Sequence, residues 1–145
     1  MSERHGSPRP TTGEDMGRPG WRLLVSAGQS RGAFELFEEA RQATGGPPPH
    51  VHRERDETFV VLEGRYLFVR DREELELEPG DSIFIPRGRR HHFRSLAAPS
   101  RTLIIVAPAG LETFFREMGV QLAAGATPLE AMTALSARHD AHPVD

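Results

Sequence analysis

From Thr58 to Ala107 the chain is cut by glycine, proline and charged turns into apolar runs too short to be helices. Thr58 to Leu62, Tyr66 to Val69, Leu75 to Leu77, Ser82 to Ile85, His91 to Ser95 and Arg101 to Ala107 are such runs. Their β-branched, aromatic and aliphatic side chains suit a pleated surface. The breaks are Gly64, Asp71 to Glu74, Pro79-Gly80-Asp81 and Pro86-Arg87-Gly88, all turn-forming. Ile83 and Ile85 flank Phe84, and Leu75 and Leu77 alternate with Glu76 and Glu78, as in half-exposed strands. Arg101 to Ala107 is almost continuously apolar and reads as a strand buried on both faces. Many short strands with turns between them predict an all-β fold, a single antiparallel double-sheet jelly-roll barrel with C-terminal helices.

Upstream, Pro47, Pro48 and Pro49 fix φ and remove backbone donors, so this stretch is a stiff, extended lead-in to His50. His50 and His52 stand two apart and project from the same side of a strand. Glu57 opens the next strand, and His91 and His92 open a distant one. Two imidazoles from one strand, a carboxylate from the next and a third imidazole from far along the chain can surround one cation. Neutral imidazole nitrogens with one carboxylate oxygen suit a divalent transition metal: Fe, Mn, Ni, Co, Cu or Zn. So few protein ligands leave a position open for water or substrate. His92 has the opposite parity to His91 and should point away from that centre. Glu54 and Asp56 read as exposed members of a charge run.

These stretches resemble the cupin superfamily. Its first motif, HxH, four residues, Glu, six residues, Gly, is met by His50, His52, Glu57 and Gly64. Its second, Gly, five residues, Pro-x-Gly, two residues, His, is met by Gly80, Pro86, Gly88 and His91. Two positions depart from the pattern: Ser95 stands for the usual Asn, and Thr44 for the usual Gly. Neither is a ligand position. The resemblance extends over roughly Trp21 to Gly119 and implies His50, His52, Glu57 and His91 as metal ligands. It also favours a strand over a helix for residues 33–41, where Phe34 and Leu36 alternate imperfectly with Glu35 and Phe37. The chain is similar to small bacterial quercetin-dioxygenase-like cupins, in which the ligand Glu also takes a proton from the substrate. Glu57 would then be catalytic. Such cupins commonly form homodimers, for which the Trp21 to Ser26 strand is a candidate element.

A chain of 145 residues fits one domain. We expect a flexible polar segment over residues 1–20, with His5 not a ligand, the barrel over 21–108, and a helical segment and tail over 109–145. Leu111, Phe114, Phe115 and Met118 fall at helical spacing, and Thr127-Pro128 is an N-cap followed by proline at the first position. That second helix should run to about Arg138, leaving His139 and His142 in a solvated tail. Net charge is −3 with both signs interspersed, which argues against a nucleic-acid partner. Arg87, Arg89 and Arg90 read as a solvated turn. No apolar run has membrane-spanning length, and no cysteine is present, as fits a soluble cytoplasmic protein.

Parity places Phe59 and Val61 on the face of Glu57, and Phe93 on that of His91, as the apolar lining of a pocket. Phe114 and Phe115 read as packing residues. The expected partner is a small hydroxylated or enolic organic substrate, and the leading activity is that of a metal-dependent dioxygenase. The same ligand set serves a non-oxidative isomerase, lyase or cyclase, and a non-catalytic small-molecule binder also fits.

Overall fold

The computed structural model describes residues 13–145. In chain order the elements are β1 (Glu14–Asp15), β2 (Trp21–Val25), α1 (Ala27–Ser30), β3 (Glu35–Arg41), β4 (His50–Val51), β5 (Asp56–Glu63) and β6 (Tyr66–Arg70). Then follow β7 (Glu73–Leu77), β8 (Ser82–Ile85), β9 (His91–Ser95), β10 (Ser100–Ala107), α2 (Glu112–Ala123), α3 (Pro128–Leu135) and β11 (His142–Pro143). Six strands pair in the order β1-β2-β3-β10-β5-β8, and five in the order β11-β4-β9-β6-β7. All pairings are antiparallel. This is the double-sheet jelly-roll architecture expected, and the two sheets are not closed into one.

The core lies between the sheets. Phe59, Tyr66, Phe68 and Phe93 are buried together, with Phe68 stacked on Phe93 at a centroid distance of 5.0 Å. Truncating one such ring to alanine costs about 3–5 kcal/mol. Gly64 turns the chain from β5 into β6 at φ 81°, and a Cβ there would meet Ser100 Cβ at 2.7 Å. Both facts make glycine necessary at that turn.

Residues 33–41 contain the strand β3, not a helix. Its inward face is Glu35, Phe37 and Glu39, all at most 2% exposed, rather than Phe34 and Leu36. The carboxylates there are satisfied. Glu35 accepts from the backbone N–H groups of Gly110 and Leu111, both at 2.8 Å, and Glu112 at 3.3 Å. A strand side chain thus caps the start of α2, whose own N-cap Leu111 has no capping side chain. Phe114, Phe115 and Met118 of α2 and Met132 and Leu135 of α3 pack into the same core.

Three expectations are corrected. Strand β10 is not buried on both faces: Thr102, Ile104 and Val106 are buried, while Arg101, Leu103, Ile105 and Ala107 alternate with them on a half-open face. The second C-terminal helix stops at Leu135 rather than Arg138. The flexibility expected of residues 1–20 concerns, for 1–12 and His5, residues outside those described. Residues 13–20 are instead held: β1 pairs with β2, and Met16 is 2% exposed.

Candidate metal centre

Antiparallel register sets His50 of β4 directly opposite His91 of β9. His52 follows two residues after His50, and Glu57 enters from β5 of the other sheet. Ligand-type atoms of these four residues all lie within 4.8 Å of one another, and all four residues are buried. His92 lies on the other face of β9, is half-buried and is not in the cluster.

Each imidazole is tethered through its outer nitrogen. His50 Nδ1 bonds the carbonyl of Pro48 at 2.7 Å, His52 Nδ1 that of Asp140 at 2.6 Å, and His91 Nδ1 that of Arg89 at 3.0 Å. A carbonyl only accepts, so each Nδ1 carries the proton and donates. A neutral ring then has its lone pair on Nε2, turned to the centre. Glu57 Oε1 sits 2.9 Å from His52 Nε2 and 3.0 Å from His91 Nε2. Yet His52 Nε2 has no partner aligned for a hydrogen bond, despite the short distance. With neutral rings, three lone pairs and a carboxylate converge with no donor among them. Either imidazoles take up extra protons, or a cation sits between them. The pattern of Nε2 facing inward and Nδ1 tied to a backbone carbonyl fits a metal.

Without a cation the electrostatics are opposed. Burial drives the His50 pKa well below its usual value, helped by repulsion from His91 and His52. Burial also lowers His52, but the charge and contact of Glu57 and the Asp140 carbonyl outweigh it, so its pKa is raised. Burial pushes the Glu57 carboxyl up, while His52 and His91 more than reverse this and hold it well below the ordinary range. Glu57 therefore stays an anion.

A cavity of about 50 Å³ adjoins His50, His52 and Glu57. Phe59 and Phe93 line it. Val61, expected beside them, is fully buried but is not in the wall; it pairs with Thr102, further along β5 than Glu57, which pairs with Val106. Phe114 and Phe115 both pack and line the cavity. Sequence reasoning passed over Arg18, Trp21, Glu39 and Arg41 in that wall. The period-two run Glu35, Phe37, Glu39, Arg41 was the available signal for the last two.

It also passed over Asp140. Beyond its carbonyl bond to His52, the Asp140 carboxylate accepts from the backbone N–H groups of Arg53 at 2.6 Å and Glu54 at 2.8 Å. It also pairs with Arg55 at 3.1 Å. His139 and His142 are not solvated as expected: His139 bonds Glu117 at 2.9 Å, and β11, which holds His142, pairs with β4. Arg87 pairs with Asp56 and Arg89 with Asp71, and Arg90 donates to the carbonyl of Asp145, so the motif turn is no basic cage.

A family model described as a cupin domain matches residues 37–106, which hold His50, His52, Glu57 and His91. Those residues are a cupin domain. The quercetin 2,3-dioxygenase of Bacillus subtilis (strain 168) is 33% identical to this protein over 70 residues, which cover 48% of this chain and 21% of that protein. An uncharacterized protein of Aquifex aeolicus (strain VF5) is 39% identical over 61 residues, covering 42% of this chain and 50% of the other. This chain therefore spans half or less of the length of these two relatives. Among solved structures, the polyketide cyclase RemF from Streptomyces resistomycificus is similar with a TM-score of 0.55 and 28% identity, over 75% of this chain and 81% of that chain. KdgF from Halomonas sp. shares the fold, with a TM-score of 0.59 at 18% identity, over 71% of this chain and 91% of its own. Among the described residues no helix is long and apolar enough to cross a membrane.

Proposed function

We propose that this cupin is a metal-dependent enzyme acting on a small hydroxylated or enolic organic substrate, in the manner of a dioxygenase. The observation that carries this reading is the convergence of three tethered Nε2 lone pairs and one carboxylate beside a cavity. His50, His52, Glu57 and His91 would hold the ion. A divalent transition metal there supplies Lewis acidity toward a substrate oxygen and, when redox-active, access to dioxygen. The chain's own groups do the rest. Glu57, the carboxylate of the cluster, would accept the proton of the substrate hydroxyl. The backbone carbonyls of Pro48, Asp140 and Arg89 hold the imidazoles in one orientation. Phe59, Phe93, Phe114 and Phe115 exclude water.

A non-oxidative reading, cyclisation or elimination through the same polarised oxygen, is favoured by one observation. The likeness to a polyketide cyclase extends over three-quarters of the chain. One experiment separates the two. Protein purified without added metal is assayed for metal content, then for oxygen uptake on a panel of enols, 1,3-diketones and flavonols. About one bound ion per chain with metal-dependent uptake supports the dioxygenase; the ion without uptake supports the non-oxidative reading. His52→Ala should remove most of the metal. Undiminished metal in that variant would overturn the site assignment.

A further inference from the structure

The far wall of the cavity carries charge that the metal-centred reading leaves unused. Arg18 reaches it from the N-terminal arm, 97 positions in sequence from Phe115, whose carbonyl accepts from Arg18 Nη1 at 3.2 Å. The guanidinium carbon lies 4.4 Å from the centre of the Trp21 ring. Among the described residues, no carboxylate comes within ion-pairing distance of Arg18. The nearby carboxylate, Glu39, is committed: Arg41 holds it by two bonds, at 2.9 and 3.2 Å. This wall therefore sets two guanidiniums against one carboxylate. Burial lowers the Arg18 pKa to about 10, with Glu39 raising it and Arg41 lowering it further, and the side chain remains a cation at neutral pH.

The position of Arg18 is built. Gly119, within α2, faces its stem, and a Cβ there would meet Arg18 Cβ and Cγ at 2.8 Å and Cδ at 3.0 Å. Glycine is a poor residue for a helix interior. Here its bare surface admits the arginine. An aromatic face, a carbonyl and a glycine hold the cation without neutralising it, which leaves the charge for something entering the cavity. At the other wall, a divalent ion with one carboxylate is also net positive. An anion with a second oxygen-bearing end complements both walls.

We propose that the substrate is a small carboxylic acid whose carboxylate is received by Arg18, with its hydroxyl or enol oxygen turned to His50, His52, Glu57 and His91. This deepens the metal-dependent reading and rests on it for the second half. Arg18 is a specificity residue, and its role is separable from the metal. Trp21, the chain's single tryptophan, lies against the guanidinium and reports on it.

The test titrates Trp21 fluorescence in chelator-treated full-length protein with lactate and with its neutral isostere lactamide. Lactate should bind at least about ten-fold tighter, the scale of one charge-assisted pair. Arg18→Met should bring the ratio to about one, and Arg18→Lys should keep part of it. Glu39→Gln, which deletes the competing carboxylate, should tighten lactate; this variant also carries the test if Arg18→Met unfolds by circular dichroism. Equal affinity for the two probes, silence toward lactate at tens of millimolar, a ratio that survives Arg18→Met, or weaker lactate binding in Glu39→Gln would each overturn the proposal. Because the titration needs no metal, its failure leaves the metal-centred reading standing. Retention of metal by His52→Ala would sink that reading without touching the lactate result.

Discussion

The two ends of the described chain bear on the same cavity in different ways: the arm lines it through Arg18, and the tail holds His52, which lines it. The N-terminal arm, paired through β1 with β2, meets the cavity through a side chain: Arg18 lies on Trp21 and donates to the carbonyl of Phe115. The C-terminal tail meets the imidazoles through its backbone: β11 pairs with β4, Val144 N–H donates to the Pro49 carbonyl, and the Asp140 carbonyl holds His52. A side-chain clasp can be exchanged without disturbing the imidazoles. A backbone clasp cannot, because it fixes the strand and the ring that carry the ligand atoms. The arm tunes what enters the cavity, and the tail sets where the ion would sit.

Removing each end breaks the comparison most severely. A chain ending at Arg138 loses the Asp140 tether and the β11 pairing. Its metal affinity should fall by about 10–100-fold, as for other groups that orient a ligand, and its Tm should drop. A chain lacking residues 1–20 should keep metal affinity within about two-fold while losing its preference for lactate. Isothermal titration with Zn²⁺ or Mn²⁺ reads both. Equal loss of metal in the two truncations would erase the distinction.

Asp140 offers a finer cut. Burial pushes its carboxyl up, but the N–H groups of Arg53 and Glu54 and the Arg55 guanidinium hold it below the ordinary range of an aspartate. A folded-state pKa below the unfolded one stabilises the fold above the unfolded value, and the benefit is lost as pH falls through the folded value. Asp140→Asn should therefore cost about 1–3 kcal/mol at neutral pH. The gap to the unaltered protein should narrow as pH drops below about 4. Urea melts from pH 2.5 to 7 measure it, and a gap that widens in acid would mean the carboxylate is not the group that matters.

The same contrast explains what the sequence could disclose. The barrel strands were legible because period-two patterning and Gly/Pro turns are local, as in Ser82–Ile85. The four-residue cluster was legible because His50, His52 and Glu57 are neighbours in sequence and the spacing around His91 is distinctive. Asp140 and Arg18 were not. Their contacts span 88 and 97 positions, and nothing near either residue marks it. Glu35 was hidden similarly, since the helix it caps begins 77 residues later. Nothing in the local pattern marks any of the three as buried, whereas each bonds a distant partner.

Gly119→Ala sharpens the arm's side of the comparison. Helix propensity alone would gain about 0.5–1 kcal/mol from the change. The new methyl would displace the stem of Arg18, so the lactate preference should fall several-fold while metal affinity holds. A preference left intact would show that the arm moves freely of α2.

His92→Ala should have the smallest effect on metal. His92 is adjacent to a candidate ligand in sequence, but strand alternation turns it to the other face of β9, opposite Val69. Burial lowers its pKa, helped by Arg90 and His91, so the ring is largely neutral near pH 7. Its Nδ1 has no hydrogen-bond partner among the described residues, so truncation removes a poorly satisfied polar atom rather than a tether. Metal per chain, measured by plasma emission spectrometry, should match the unaltered protein. A sharp loss would mean that the face of β9, and with it the inward direction of His91, has been assigned the wrong way round.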